Sequence, residues 1–401
     1  MDRLYPAHFE AIAEALGNIF TADAYADREI ARVLKADKRR GSKDRAFIAE
    51  QTYEVVRNYR LLRHLAGGGK PKKREDFWRL IGIQLHLQGR ELPAWREFGI
   101  IDAADIQAKL AAAQQDRALR ESIPDWLDAV GEAQLGAQWT PTLAALNEQA
   151  PVVLRANRLK TTPAELSVAL ARENVVTTPI AADALLVTER QNLFTTKAFQ
   201  QGLFEVQDFS SQQAAPSLEV SPGQTVIDAC AGAGGKSLHL AALLENRGQL
   251  ISLDIHGWKL EELKKRARRN GVSNLETRAI TSSKVIKRLA GRADRVLLDV
   301  PCSGLGVLRR NPDAKWKLSQ DFIDRVVIEQ AEILSSYSRM VKPGGKLVYA
   351  TCSILPREND EQVAAFLGSP AGEGWTLEHQ HTFLPQVEGY DGFFLARLVK
   401  G

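Results

Sequence analysis

Two cysteines stand where two apolar, strand-like runs give out. Val296-Leu-Leu-Asp299 leads into Val300-Pro-Cys302-Ser-Gly-Leu-Gly306, and Leu347-Val-Tyr-Ala350 leads into Thr351-Cys352-Ser353. A thiolate is a strong nucleophile, and covalent catalysis through one splits a difficult step into two easier ones. A lone cysteine is more often a small buried hydrophobe. Two at matching strand ends, the first behind an Asp299-Val-Pro step, point instead to a reaction centre. In a doubly wound sheet the fourth and fifth strands are neighbours and ligands bind over their carboxyl ends, so the thiols are expected to converge there.

The stretch Asp228-Ala-Cys-Ala-Gly-Ala-Gly-Gly-Lys-Ser237 lies between a short apolar strand, Thr225 to Ile227, and a helically spaced run, Lys236 to Leu244. Glycines at 232, 234 and 235 allow a tight bend and close approach to a ligand. Three cradles fit that outline. A dinucleotide fingerprint wants glycine or alanine at position 237, where serine stands; a P-loop wants glycine at 230, where Cys230 stands. An S-adenosylmethionine site wants an acid closing the next strand for the ribose hydroxyls. Asp254, ending Gln249-Leu-Ile-Ser-Leu-Asp254, has the spacing of a βαβ unit. S-adenosylmethionine is therefore the expected cofactor, with Cys230, Ala231, Gly232, Ala233, Gly234, Gly235, Lys236, Asp254 and Asp299 as its candidate contacts. A tight turn without a ligand is the plainer alternative.

A methyl donor beside two thiols suits methylation of an unreactive carbon. Carbon 5 of cytosine becomes nucleophilic only after a thiolate adds to carbon 6. Asp299 is placed to share a proton with cytosine nitrogen 3, and Lys236 to supply positive charge or lower a thiol's pKa. A lysine facing solvent at a helix start is the bland reading of Lys236.

The elements that position these residues follow from the rest of the chain. Its 401 residues suffice for two or three domains, and 44% hydrophobic with 25% charged residues is an ordinary globular composition. No stretch approaches eighteen uninterrupted apolar residues, and Met1 to Pro6 lacks the apolar core of a signal peptide, so a cytoplasmic protein without a membrane role is expected. Three widely spaced cysteines make no disulfide framework. No metal site is expected, and a monomer is.

Residues 1–140 are read as a helical domain. Ile48, Val55, Tyr59 and Leu62 share one face, with Arg57 and Arg60 pointing away. Lys35, Lys38, Arg39, Arg40, Lys43 and Arg45 form one basic cluster; Lys70, Lys72, Lys73 and Arg74, after Gly67-Gly-Gly69, form another. Together they favour RNA phosphates over a merely solvated surface. Residues 141–215 are read as a small α+β subdomain, with strands at Val152–Leu154, Ala184–Val187 and Leu203–Val206, and a capping box at Thr162-Pro-Ala-Glu165. Arg155, Asn157 and Lys160 would be its exposed polar set. Residues 216–401 alternate strands and helices, giving an α/β, Rossmann-like doubly wound sheet. Its strands are Val226–Asp228, Leu250–Asp254, Leu275–Ile280, Arg295–Asp299 and Lys346–Ala350, with an edge hairpin from Thr376–His379 and Phe393–Leu398.

The glycine turn, Asp299-Val-Pro-Cys-Ser303, Arg309-Arg-Asn-Pro-Asp313, Ala350-Thr-Cys-Ser353 with Glu358-Asn-Asp360, and Asp391-Gly-Phe-Phe394 together resemble the RNA cytosine-5 methyltransferases of the RsmB/Nop/Sun type. Leu154 to Lys160 and Val206-Gln-Asp208 resemble upstream motifs of that family, so the likeness runs from about 120 to the end. Arg40 to Phe47 with Val55 to Arg60 resembles the NusB-like RNA-binding domain. The resemblance implies Cys352 as nucleophile, Cys302 as an aid to product release, Asp299 and Lys236 as an acid and base pair, and Asp254 as ribose ligand. It also implies RNA as the partner, with 16S ribosomal RNA expected from the NusB-like part and tRNA as the alternative. Two positions depart from the family pattern. Ala233 replaces the usual proline, and Ile280 or a neighbour stands where an acid commonly meets adenine, with no Asp or Glu between Arg278 and Ala293, so an apolar wall is expected there.

Other functions fit less of the chain. A DNA cytosine-5 methyltransferase uses the Pro-Cys cysteine and a later Glu-Asn-Val, whereas Glu173-Asn-Val175 lies upstream of the cradle. A silent RNA-binding assembly factor would have no need of Cys302, Cys352 and Asp299 together. A nucleotide hydrolase is disfavoured by Cys230.

Overall fold

A computed structural model describes residues 4–99 and 101–401, so part of the Met1 to Pro6 reading lies outside the described residues. The chain forms two units, one ending at Glu148 but taking in Leu308–Gln320, the other running over Gln149–Val307 and Asp321–Gly401.

The first unit is helical. Phe9, Ile12, Leu16, Ile48, Val55, Leu62, Trp78 and Ile81 form its core, which contains the expected Ile48 face. Asn58, at φ −99° and ψ 16°, separates the helices Ser42–Arg57 and Tyr59–Leu65. Arg57 does not point away: it is buried, pairs with Glu54 at 3.3 Å and donates to the Arg309 carbonyl at 3.0 Å. Its partner belongs to Leu308–Gln320, which is built into this unit. The Asp313 carboxylate accepts from the Ala26 N–H at 3.1 Å, and the buried Lys315 ammonium donates to Asn147 at 3.2 Å. Burial, with Arg57 nearby, pushes the Lys315 pKa down to about 7. The second basic cluster is exposed and opens the helix Arg74–Leu87, where the Asp76 carboxylate accepts from the N–H groups of Lys72 and Lys73 at 2.8 and 2.9 Å.

In the second unit, β1 (Val152–Ala156), β2 (Thr177–Pro179), β3 (Ala184–Val187) and β4 (Phe204–Val206) form an antiparallel sheet of order β2-β3-β1-β4. The helix Pro163–Ala171 covers it through Leu166 and Leu170 and starts with the expected capping box: Thr162 accepts from the Glu165 N–H at 3.2 Å, and Glu165 from the Thr162 N–H at 2.8 Å. The exposed polar set needs correction. Lys160 is exposed, but Arg155 and Asn157 are buried because each satisfies backbone carbonyls from the larger sheet's loops.

That larger sheet has β5 (Thr225–Asp228), β6 (Gln249–Asp254), β7 (Leu275–Ala279), β8 (Ala293–Asp299), β9 (Val341–Thr351), β10 (Trp375–Phe383) and β11 (Phe393–Lys400), in the order β10-β11-β9-β8-β5-β6-β7. β7 to β9 are parallel through β6, β5 and β8, and the expected hairpin supplies the antiparallel edge. The strand order reverses between β5 and β8, which opens a crevice at their carboxyl ends. No helix among the described residues is long and apolar enough to cross a membrane.

Candidate active site

The glycine turn leaves β5 and hands its backbone to the neighbouring strand end. The Gly232 N–H donates to one Asp254 carboxylate oxygen at 2.9 Å, and the His256 N–H donates to the other at 2.7 Å. Asp254 thereby closes β6 and fixes the turn at once. Gly234 has φ +90°, and a Cβ there would lie 2.0 Å from Leu263 Cδ1, so the position admits only glycine. Beside the turn is a cavity of about 590 Å³ whose walls include Cys230, Asp254, Ile255, Ile280, Pro301 and Tyr337. Burial pushes the Cys230 thiol well up, so it stays a neutral wall. The volume and a lining that combines Asp254 with the apolar Ile255 and Ile280 fit a nucleoside-bearing cofactor. Ala231, Ala233, Gly234 and Gly235 shape the turn rather than line the cavity.

Two arginines, the buried Arg155 and the half-buried Arg266, hold the turn from behind; Arg155 was expected on the surface, and nothing in the local sequence flagged Arg266. Arg155 donates to the Gly235 carbonyl at 2.7 Å and Arg266 to the Ala233 carbonyl at 2.8 Å. Glu205 on β4 anchors this layer, pairing with Arg266 at 2.8 Å and Arg269 at 2.5 Å. Burial lowers the Arg155 pKa to about 10, which leaves it charged at neutral pH. Beneath the turn, Asp228 accepts from the Ser237 hydroxyl at 2.6 Å, and burial pushes its carboxyl up to about 7.

Across Pro301 from the cavity the structure brings the remaining expected residues together. The Sγ atoms of Cys302 and Cys352 are 3.2 Å apart, at the ends of the paired strands β8 and β9. The Lys236 ammonium meets the Asp299 carboxylate at 2.7 Å and lies over the Phe393 ring at 5.1 Å. The hydrogen bond to Cys352, then burial, pushes the Cys302 thiol well up, so it keeps its proton at neutral pH.

The spacing of the two thiols is set one residue further on. Glu358, fully buried, accepts from the Ser303 hydroxyl at 2.5 Å, the Ser303 N–H at 2.7 Å, the Ser353 hydroxyl at 2.5 Å and Gln330 at 3.1 Å. Asn359 binds the Thr351 hydroxyl at 2.5 Å and the Ser353 carbonyl at 3.1 Å. Gly306 donates its N–H to the Cys352 carbonyl at 2.9 Å; a Cβ there would sit 2.1 Å from the Gly392 carbonyl oxygen. The Glu358-Asn359 pair and Gly392 of the last motif thus clamp both cysteine loops.

Comparison with known proteins places this geometry. Residues 215–399 match the family described as 16S rRNA methyltransferase RsmB/F, and residues 123–193 match its RsmF/B-like ferredoxin-like domain. The chain is 32% identical to the "Probable ribosomal RNA small subunit methyltransferase B" of Synechocystis sp., over 96% of this chain and 97% of that one. In fold it is similar to the crystal structure of PH0851, with a TM-score of 0.82, 23% identity and 99% of each chain covered. It is also similar to NSun6 from Pyrococcus horikoshii, solved with SFG, at a TM-score of 0.64 and 21% identity, over 70% of this chain and 99% of that one.

Proposed function

The chain belongs to the RsmB/F family of small-subunit ribosomal RNA methyltransferases, and from that premise we propose that it methylates carbon 5 of a cytosine in 16S ribosomal RNA through a covalent adduct with Cys352. The observation that carries the proposal is the 3.2 Å approach of two thiols at adjoining strand ends, beside a paired lysine and aspartate. A single cysteine would suffice for addition alone; a second within reach suits a reaction whose adduct must also be taken apart.

S-adenosylmethionine, when bound, supplies an electrophilic methyl group. Asp254 would hold its ribose hydroxyls, Ile255 and Ile280 would flank its adenine, and Cys230, at the start of the turn, would meet its remaining atoms. The Cys352 sulfur adds to carbon 6 of the cytosine, forming the sulfur–carbon bond as the carbon 5–carbon 6 double bond opens and its electron pair passes to carbon 5. Asp299, held by Lys236, keeps a proton at nitrogen 3 and so stabilises the electron-rich ring. Cys302 works at release, when the proton on carbon 5 leaves and the bond from Cys352 to carbon 6 breaks. Protonated at rest, Cys302 gives its proton to the departing Cys352 sulfur 3.2 Å away and takes the proton that leaves carbon 5, so both thiols end as they began.

In this proposal residues 1–140 bind RNA in the manner of a NusB-like domain, residues 141–215 brace the cofactor turn, and residues 216–401 carry the chemistry of a monomeric, cytoplasmic enzyme. The test is bisulfite sequencing of a 16S ribosomal RNA transcript after incubation with the protein and S-adenosylmethionine. One protected cytosine is expected. Methyl transfer to another atom or to tRNA alone would overturn the proposal.

A further inference from the structure

The helical unit carries a cavity of about 550 Å³ that the proposed chemistry leaves unused. Its walls include Tyr59, Arg60, Arg63 and His64 from one helix, Trp126 from the helix Asp125–Leu135, and Trp316 from Leu308–Gln320. The Tyr59 and Trp316 rings are held in fixed orientations. The Trp316 indole N–H donates to the Val56 carbonyl at 2.7 Å, Trp316 meets Tyr59 edge to face at 5.7 Å, and Phe20 stacks behind Tyr59 at 3.5 Å. Trp126 and Trp316 are both half-buried, so each keeps part of its surface open to the cavity.

The charged groups are fixed as well. Arg60 pairs with Asp125 at 2.6 Å, which neutralises the carboxylate at the cavity wall. Arg63 lies over the Tyr59 ring at 5.4 Å and donates to the carbonyls of Gly68 and Gly69 at 3.1 and 3.2 Å. Among the described residues no carboxylate pairs with Arg63, so its charge is uncompensated. Beyond Gly69 the chain runs into the exposed Lys70, Lys72, Lys73 and Arg74.

Preoriented rings, an uncompensated arginine and a cationic margin are what an unpaired nucleotide needs: an aromatic surface for the base and a guanidinium for the phosphate. An apolar peptide segment would leave Arg63 without a counter-charge. We infer that this cleft holds one unpaired nucleotide of the RNA substrate, with its base against Trp126 and Trp316 and its phosphate beside Arg63. The inference rests on the chain being an RNA methyltransferase and adds where the RNA is gripped away from the thiols.

Fluorescence anisotropy of the full-length protein with labelled oligouridylate, with a duplex of equal length and with a 16S transcript tests it. Trp126→Leu keeps apolar bulk and removes the indole face; it should weaken single-strand binding about tenfold, and Trp126→Tyr should recover most of that. Arg63→Gln should lower the slope of log affinity against log salt by about one. Affinity for S-adenosylhomocysteine and kcat at saturating RNA should stay at wild-type values while KM for RNA rises. If both variants bind oligouridylate like wild type at every salt concentration, the cleft is no RNA site, whether or not the enzyme methylates RNA. If they lose affinity as expected but the wild-type protein transfers no methyl group to 16S RNA, the cleft stands and the proposed reaction falls.

Discussion

Ser303 and Ser353, each one residue beyond a cysteine, lie 3.2 Å apart hydroxyl to hydroxyl, and both donate to Glu358. The two thiols therefore owe their register to a carboxylate that touches neither sulfur. Adjacent parallel strands bring the loops close; the buried acid decides how close.

Glu358→Gln retains one acceptor oxygen and nearly the same shape, but loses the charge that four donors converge on. A buried donor left unsatisfied costs roughly 1–3 kcal/mol, enough to let the loops part. Methylation should fall by roughly fivefold to a hundredfold, since 1.4 kcal/mol is a factor of ten. Calorimetry should show unchanged affinity for S-adenosylhomocysteine, because Glu358 is not in the cofactor cavity wall. Equal losses in cofactor binding and turnover would mean general unfolding instead.

Asp228 makes stability depend on pH in an unusual direction. Burial raises its pKa from 3.8 to about 7, with Asp299 adding to the rise and Ser237 and Lys236 opposing it. The folded state then holds this proton to higher pH than the unfolded state does, so the group's contribution is most favourable below about pH 4 and declines as pH rises to about 7. Three pK units correspond to a ceiling on the order of 4 kcal/mol. Asp228→Asn should gain thermal stability over wild type as pH goes from 5 to 8. A difference in Tm that is constant or shrinks over that range would contradict the assignment.

Arg266 braces the cofactor turn through the Ala233 carbonyl, while Glu205 keeps Arg269 and Asn270 as partners without it. Arg266→Ala should weaken S-adenosylhomocysteine binding about fivefold, in line with roughly 1 kcal/mol per hydrogen bond. Unchanged binding would show that the turn holds its shape unaided.

The large sheet was legible because its apolar runs end in acids, cysteines or glycines at regular βαβ spacing. The thiol pair was legible for the same reason: Cys302 and Cys352 follow strands that a doubly wound topology makes neighbours. Arg57, Arg155 and Asn157 were misread because polar side chains default to the surface, and the backbone carbonyls that receive them lie between 45 and 252 residues away. Leu308–Gln320 was illegible as part of the helical unit, since Arg309-Arg-Asn-Pro-Asp313 reads locally as a loop. β2, only Thr177-Thr-Pro179, is too short to show alternation and contains proline.

The division of labour between the two thiols is the account's central claim, and a denaturing gel of the cysteine variants tests it most directly. With RNA substrate and S-adenosylmethionine, Cys352→Ala should yield neither methylation nor any denaturation-resistant protein–RNA complex. Cys302→Ala should accumulate such a complex, because addition proceeds while elimination is slowed. A complex trapped by Cys352→Ala and absent with Cys302→Ala would reverse the assignment and contradict the account.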